Sequence, residues 1–182
     1  MQRVSVVGNS GSGKSTLARA LAGRLEVTYI ELDAIFHQPG WTELEPEEFR
    51  RRVGRAVTAE GWVVDGNYSA VRDLVWTAAD TVVWLDLPRR TVMRQIVGRT
   101  LGRVVLRREL WAGNREPISN LTTLDPQRSI IAWAWTRHHV YFTRYLGAMS
   151  DIRWSHLTFH RLRSRTQVDR FLRAVPSPPR PR

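Results

Sequence analysis

The chain has 182 residues, 42% of them hydrophobic and 25% charged, no cysteine, and a formal net charge of +11. That length and composition fit one globular domain, over residues 1–175, and exclude a disulfide framework, a thiolate metal site and a cysteine nucleophile. The longest apolar runs, such as residues 130–135, fall far short of the roughly 20 residues that span a bilayer, so no membrane partner is expected. Strand signals begin at once. Arg3–Val7 reads as a short buried strand cut off by glycine, followed by a helix over Lys14–Leu25 with Leu17, Ala18, Leu21, Ala22 and Leu25 on one stripe. Thr28–Leu32 reads as a second strand ending at Asp33. Pro46 then opens a helix to about Thr58, helped by Glu47 and Glu48 at its positive end.

Trp62–Val64 predicts a third strand closing at Asp65-Gly66, and Thr81–Leu87 a fourth, stopped by Pro88. A helix starts at Arg89 and carries Val92, Ile96 and Val97 toward Leu101, where Gly102 and a run of arginines weaken the pattern. Residues 111–126, with Gly113, Asn114, Pro117, Asn120 and Pro126, read as a mobile connection. A long helix over Gln127–Met149 is predicted to place Ile131, Trp135, Phe142, Tyr145 and Met149 near one core-facing stripe. His156–Leu162 suits a fifth strand, Thr166–Val175 a closing helix, and residues 176–182 (PSPPRPR) a disordered tail. Strands alternating with helices imply an α/β fold, a mainly parallel sheet covered on both faces.

Gly8-Asn9-Ser10-Gly11-Ser12-Gly13-Lys14-Ser15 satisfies the phosphate-loop pattern G-x-x-x-x-G-K-[ST], and it lies between a predicted strand and a predicted helix, as the chemistry requires. Glycines let backbone N–H groups turn inward around phosphates, and the helix N-terminus adds the positive end of its dipole. These features predict ATP and Mg²⁺ as ligands. Lys14 is expected to reach the β and γ phosphates and the Ser15 hydroxyl to coordinate Mg²⁺, with Thr16 either supporting the nucleotide or lying on the helix surface. A second acidic group should hold the metal through water. Asp65 ends the apolar run Trp62–Val64 and Asp86 lies inside the run Thr81–Leu87; Gly66 favours Asp65, while Asp86 can instead cap the helix at Arg89.

The phosphate loop GNSGSGKST, the stretches ELDAIFHQPGW (31–41), VVDGNY (63–68), VVWLDLPRR (82–90) and RRELWAGNRE (107–116), taken in order, resemble the adenylate-kinase-related proteins often labelled topology modulation proteins. The resemblance implies a nucleoside-monophosphate-kinase fold, a three-layer arrangement with a parallel five-stranded sheet in order 2-3-1-4-5 and a helical lid over about residues 100–128. It also implies ATP-dependent phosphoryl transfer to a small acceptor. Asp33 and His37 then stand where related kinases hold or deprotonate the acceptor, with Trp41, Asn67 and Tyr68 lining the same pocket; Asp33 could alternatively cap a helix. Arg94 and Arg99 resemble the stretch that contacts ATP before the lid, and Arg115 and Arg128 are the lid's candidates for phosphate charge. Adenylate kinases carry an arginine soon after Asp-Gly and a threonine-glycine-aspartate motif. Here Asn67-Tyr68-Ser69 follows, and the next arginine, Arg72, is only a weak substitute, which puts AMP in doubt as acceptor.

Two readings follow. The first is a small-molecule kinase acting on a nucleoside, nucleotide or hydroxylated metabolite. The second is an ATP-binding regulatory protein with slow ATPase activity that contacts nucleic acid through its basic helices. A cytoplasmic location is expected for either, since the glycine-rich loop stands too close to Met1 for a secretory leader to precede it.

Overall fold

A computed structural model describes residues 1–107 and 109–176; the tail expected over residues 176–182 lies, from residue 177 onward, outside the described residues. Five strands, β1 (Arg3–Gly8), β2 (Thr28–Glu31), β3 (Trp62–Asp65), β4 (Thr81–Leu85) and β5 (Thr158–Leu162), form one parallel sheet in the order β2-β3-β1-β4-β5. Among the described residues eight α-helices connect and cover it: α1 (Lys14–Leu25), α2 (Leu32–Phe36), α3 (Pro46–Ala56), α4 (Arg72–Ala78), α5 (Arg89–Val105), α6 (Ser119–Thr122), α7 (Ile130–Met149) and α8 (Arg165–Ala174).

Strand alternation divides the core into two layers. Val4, Val6, Val63, Val83 and Leu85 point toward α1 and α8 and pack with Leu17, Leu21 and Val168. Val7, Trp62, Val64, Val82 and Trp84 point the other way and pack with Phe49, Val53, Trp76, Tyr141 and Tyr145. Burial on both faces explains why the strands read as unbroken apolar runs. Two of the buried tryptophans have indole N–H groups bonded within the core: Trp76 donates to the Ser5 hydroxyl at 3.2 Å and Trp62 to the Val57 carbonyl at 3.1 Å.

The register decides where chemistry can occur. Val6 pairs with Asp65 on one side and Val83 on the other, Glu31 pairs with Asp65, and Gly8 pairs with Leu85. The carboxyl ends of β1, β2 and β3 therefore bring Gly8, Asp65 and the start of α2 together beside β1, where the chain order reverses and ligands of open α/β sheets bind.

Several expectations need correction. Strand β2 ends at Glu31 and α2 begins at once, because Gly66 (φ +148°) lets Leu32 settle on the end of β3; a Cβ on Gly66 would lie 2.9 Å from the Leu32 side chain. Strand β4 ends at Leu85, β5 starts only at Thr158, and α3 stops at Ala56. Helix α5 continues through Gly102 to Val105. The connection after it is built rather than loose: a turn at Trp111–Gly113 and α6 are pinned by Glu116, which accepts from Arg103 at 3.1 Å and Asn120 at 2.9 Å. Helix α7 starts at Ile130 behind a Ser129 cap, and its stripe is only partly core. Tyr141 and Tyr145 are buried, whereas Trp135 and Met149 are exposed, with the Arg89 guanidinium 3.4 Å from the Trp135 ring centre. Asp86 does not cap α5, whose cap is Pro88; it accepts instead from Arg161 at 2.9 and 2.7 Å.

Candidate functional site

Strand β1 delivers the chain into a loop over Gly8–Gly13 whose first residues are held from behind. The Ser12 N–H donates to the Asn9 carbonyl at 3.1 Å, and Asn9 uses its side-chain Nδ2 to donate to the Ala134 carbonyl of α7 at 2.8 Å while its Oδ1 accepts from the Ser10 N–H at 2.9 Å. Gly13 occupies the α1 cap position with φ 93°, and no side chain caps the helix, which leaves its first N–H groups directed at the loop interior. Lys14 curls back so that Nζ donates to the Asn9 carbonyl at 3.1 Å. Burial lowers its pKa, opposed by the attraction of Asp65 and Asp33.

Asp65, at the end of β3, is buried, and burial raises its pKa despite the pull of Lys14 and a hydrogen bond from Ser15. Its Oδ2 accepts from the Tyr29 hydroxyl at 3.2 Å, while its Oδ1 and the Ser12 hydroxyl are buried without a partner. A carboxylate beside a lysine and a serine with one free oxygen is a donor set that suits a hard cation such as Mg²⁺. Asp86, the other candidate, has Arg161 as its partner.

Of the predicted arginines, Arg99 is the one that meets the loop: its Nη2 lies 3.4 Å from the Ser10 hydroxyl and its Nε is buried without a partner. Burial lowers its pKa, Arg103 adds repulsion, and Glu116, Asp33 and Asp65 pull the other way. Arg94 is exposed on α5, Arg128 is exposed in the turn before α7, and Arg115 pairs with Glu109 at 3.0 Å. Thr16 is exposed in the first turn of α1. A residue not foreseen, Arg165 at the start of α8, lies against the loop, since a Cβ on Gly13 would stand 3.0 Å from its Nη1. Sequence offered no signal that set it apart from its basic neighbours.

On the far side, Asp33 accepts from the Tyr68 hydroxyl at 2.7 Å, and burial together with that carboxylate pushes the Tyr68 pKa upward. His37 stacks on Trp111 at 5.7 Å, meets Trp41 edge-on at 5.1 Å, and leaves Nδ1 buried without a partner. Trp41 is gripped by the segment after α5: its N–H donates to Asn114 Oδ1 at 3.0 Å and its indole to the Arg115 carbonyl at 3.1 Å. Asn114 completes the clasp by donating to the Gln38 carbonyl at 2.9 Å. Arg72 lies over the Trp76 ring at 5.7 Å and, with Asn67, Tyr68 and Tyr145, lines a narrow cleft behind Gly66.

No family model matches the chain. Adenylate kinase 2 of Nostoc sp. is 29% identical over 128 residues, covering 54% of this chain and 70% of that one. Shikimate kinase of Sulfurihydrogenibium sp. is 29% identical over 112 residues, covering 53% of this chain and 67% of that one. These likenesses support an ATP-dependent P-loop kinase, similar to adenylate and shikimate kinases. Solved structures extend the likeness of fold to almost the whole chain. Shikimate kinase from Acinetobacter baumannii, in complex with shikimate, superposes with a TM-score of 0.54 over 95% of this chain and 92% of that one at 16% identity. The enzyme from Bacteroides thetaiotaomicron gives 0.50 over 94% of each at 16% identity. No helix among the described residues is long and apolar enough to cross a membrane, and the nucleic-acid reading draws no support from these relatives.

Proposed function

We propose that this kinase transfers the γ-phosphoryl group of ATP to a hydroxyl group of a small acceptor, with residues 1–175 acting as one catalytic domain and residues 100–128 as its lid. What carries the reading is the convergence of Lys14, Arg99, Asp33 and Asp65 at the open end of one glycine-rich loop, close enough for each charge to perturb its neighbours. Two cations there suit the negative charge that spreads over the transferred phosphoryl oxygens, and two carboxylates allow separate duties.

The loop amides and Lys14 bind the phosphates. Ser15 and Asp65 are the residues that would hold Mg²⁺, which when bound would supply neutralisation of phosphate charge. Asp33 orients the acceptor hydroxyl and takes its proton as the oxygen–phosphorus bond forms, while the bond from phosphorus to the bridging oxygen breaks and ADP leaves. Arg99, through its approach to Ser10, stabilises the transferring group, and Arg165 faces the nucleotide beside Gly13. The acceptor enters past Tyr68, His37 and Trp41; Arg94, Arg115, Arg128 and Arg72 remain its outer candidates for phosphate contact.

Two experiments test this. A thermal-shift screen of nucleosides, monophosphates and sugar acids with Mg²⁺ and a non-hydrolysable ATP analogue should find an acceptor that raises Tm beyond the analogue alone. Asp33→Asn should then abolish transfer and leave ATP affinity near wild type. Loss of ATP affinity in that variant would remove Asp33 from the acceptor site, and calorimetry showing no Mg²⁺-dependent ATP binding by the wild type would end the kinase reading.

A further inference from the structure

Asn67 stands in the loop after β3, beside residues grouped above with the acceptor, yet its amide faces the nucleotide side. Its Oδ1 accepts from the Gly8 N–H at 3.1 Å and from the Tyr145 hydroxyl at 2.9 Å, and its Nδ2 donates to the Gly8 carbonyl. The Tyr141 hydroxyl lies near enough for Asn67 to hold its pKa down against the stronger upward push of burial. An asparagine amide has two donor hydrogens and two acceptor lone pairs, so these three bonds fill both acceptor positions and one of the two donors, which leaves little capacity for a substrate.

The position of these contacts matters more than their number. Gly8 is the first residue of the phosphate loop, held at φ +146°, where a Cβ would strike the Leu85 carbonyl at 2.7 Å. A single side chain brackets both the N–H and the carbonyl of that residue. Tyr145 belongs to α7 and is packed among Trp76, Trp84 and Tyr141, so core contacts fix where its hydroxyl points. About three helical turns earlier on α7, Ala134 receives the Asn9 side chain. The entry to the phosphate loop is thus tied at two successive residues to one long helix, the same helix that leads out of the lid segment.

We infer that Asn67 is a positioning residue for the nucleotide: together with Tyr145 it fixes the Gly8 peptide, and through it the direction of the loop amides that receive phosphate, while making no contact with the acceptor. The inference rests on the proposed function only in taking the phosphate loop as the nucleotide site. It separates cleanly from an acceptor-lining role, which would leave nucleotide affinity untouched.

Titration calorimetry of the full chain with MgADP, a probe that needs no knowledge of the acceptor, tests it. Asn67→Ala should weaken MgADP about tenfold, the effect of losing roughly one to two net hydrogen bonds' worth of loop ordering. Tyr145→Phe, which keeps the ring and its packing, should weaken it about threefold, and the double variant should bind no more weakly than Asn67→Ala alone, because both act through one peptide. Should Asn67→Ala fail to fold, Tyr145→Phe still decides the matter through MgADP affinity at unchanged Tm. Wild-type affinity in folded Asn67→Ala, wild-type affinity in Tyr145→Phe, or effects that multiply in the double variant would each overturn the inference. A wild-type chain with no affinity for MgADP would overturn the function proposed above along with it.

Discussion

Around the phosphate loop, side chains reach backward into the core: Asn9 to α7, Asn67 to Gly8 and Tyr145, and Arg99 from α5 to Ser10. Across the cleft, residues 37–43 and 109–116 hold each other. Each segment closes a small antiparallel bridge, His37 with Glu43 and Glu109 with Arg115, and the two meet through Asn114, Trp41, Trp111 and His37. The first region inherits its rigidity from elements that exist without a ligand. The second depends on contacts between loops, which can part without disturbing the sheet, as a lid requires.

The largest effect should come from the rigid side. Lys14→Ala removes the loop's mobile charge, and turnover should fall by about a thousandfold, in keeping with the loss of a group aimed at charge in the transition state. The fold should persist, since the lysine ammonium donates to the Asn9 carbonyl and otherwise only feels the charges of Asp65 and Asp33 without pairing with either. A variant that keeps most of its activity would show that phosphate is held elsewhere.

Asn114→Ala strikes the other region. It would leave the Trp41 N–H and the Gln38 carbonyl without partners in the seam, at a cost of about 2 kcal/mol where they stay enclosed. Hydrogen exchange should quicken in residues 37–43 and 109–116 and stay unchanged in residues 3–14, and the fluorescence of Trp41 and Trp111 should shift toward that of exposed indole. Equal acceleration in both regions would mean that the loop and the seam are not separate units.

These two regions were unequally legible in the sequence. The phosphate loop is a run of eight residues between a β-branched strand and a helical stripe, so local pattern suffices, and the sheet order followed from the family likeness. The pairing of Asp86 with Arg161 and the clasp at Asn114 join residues 73 to 76 apart, where no local rule applies. Trp41 and Ala112 also adopt left-handed backbone at φ 60° and 53°, which residue preference argues against. Asn67 misled for a related reason. Its position after Asp65-Gly66 suggests the pocket, while its direction is set by Tyr145, a residue 78 positions away.

A smaller effect, of opposite sign, belongs to Asp65. Burial raises its pKa above the usual carboxylate value even with Lys14 nearby, so the folded chain holds the proton more tightly than the unfolded chain. The stability this contributes is present at low pH and is lost as pH rises through the raised pKa. Asp65→Asn should therefore raise the Tm of the nucleotide-free protein at neutral pH by a few degrees, the response to about 1 kcal/mol in a chain of this length, and flatten that segment of the pH profile. The same variant should lose most Mg²⁺-dependent activity. A lower Tm would show that the carboxylate stabilises the loop after all.

The smallest effect separates the seam's main chain from its side chains. Arg115 presents its carbonyl to the Trp41 indole, whereas its guanidinium pairs with Glu109 in an ion pair whose side chains are 51% and 64% exposed. Exposed pairs of this kind contribute about 0.5 kcal/mol, and the carbonyl survives any substitution. Arg115→Ala should consequently leave Tm and seam exchange within error of wild type. Any loss it causes in kcat for the acceptor found by the thermal-shift screen must then come from phosphate contact in a more closed state, with the guanidinium released from Glu109. Glu109→Gln discriminates further, since it frees Arg115 without removing it, and should raise kcat if that pair competes with phosphate. Unchanged kcat in both variants would confine Arg115 to its main-chain role.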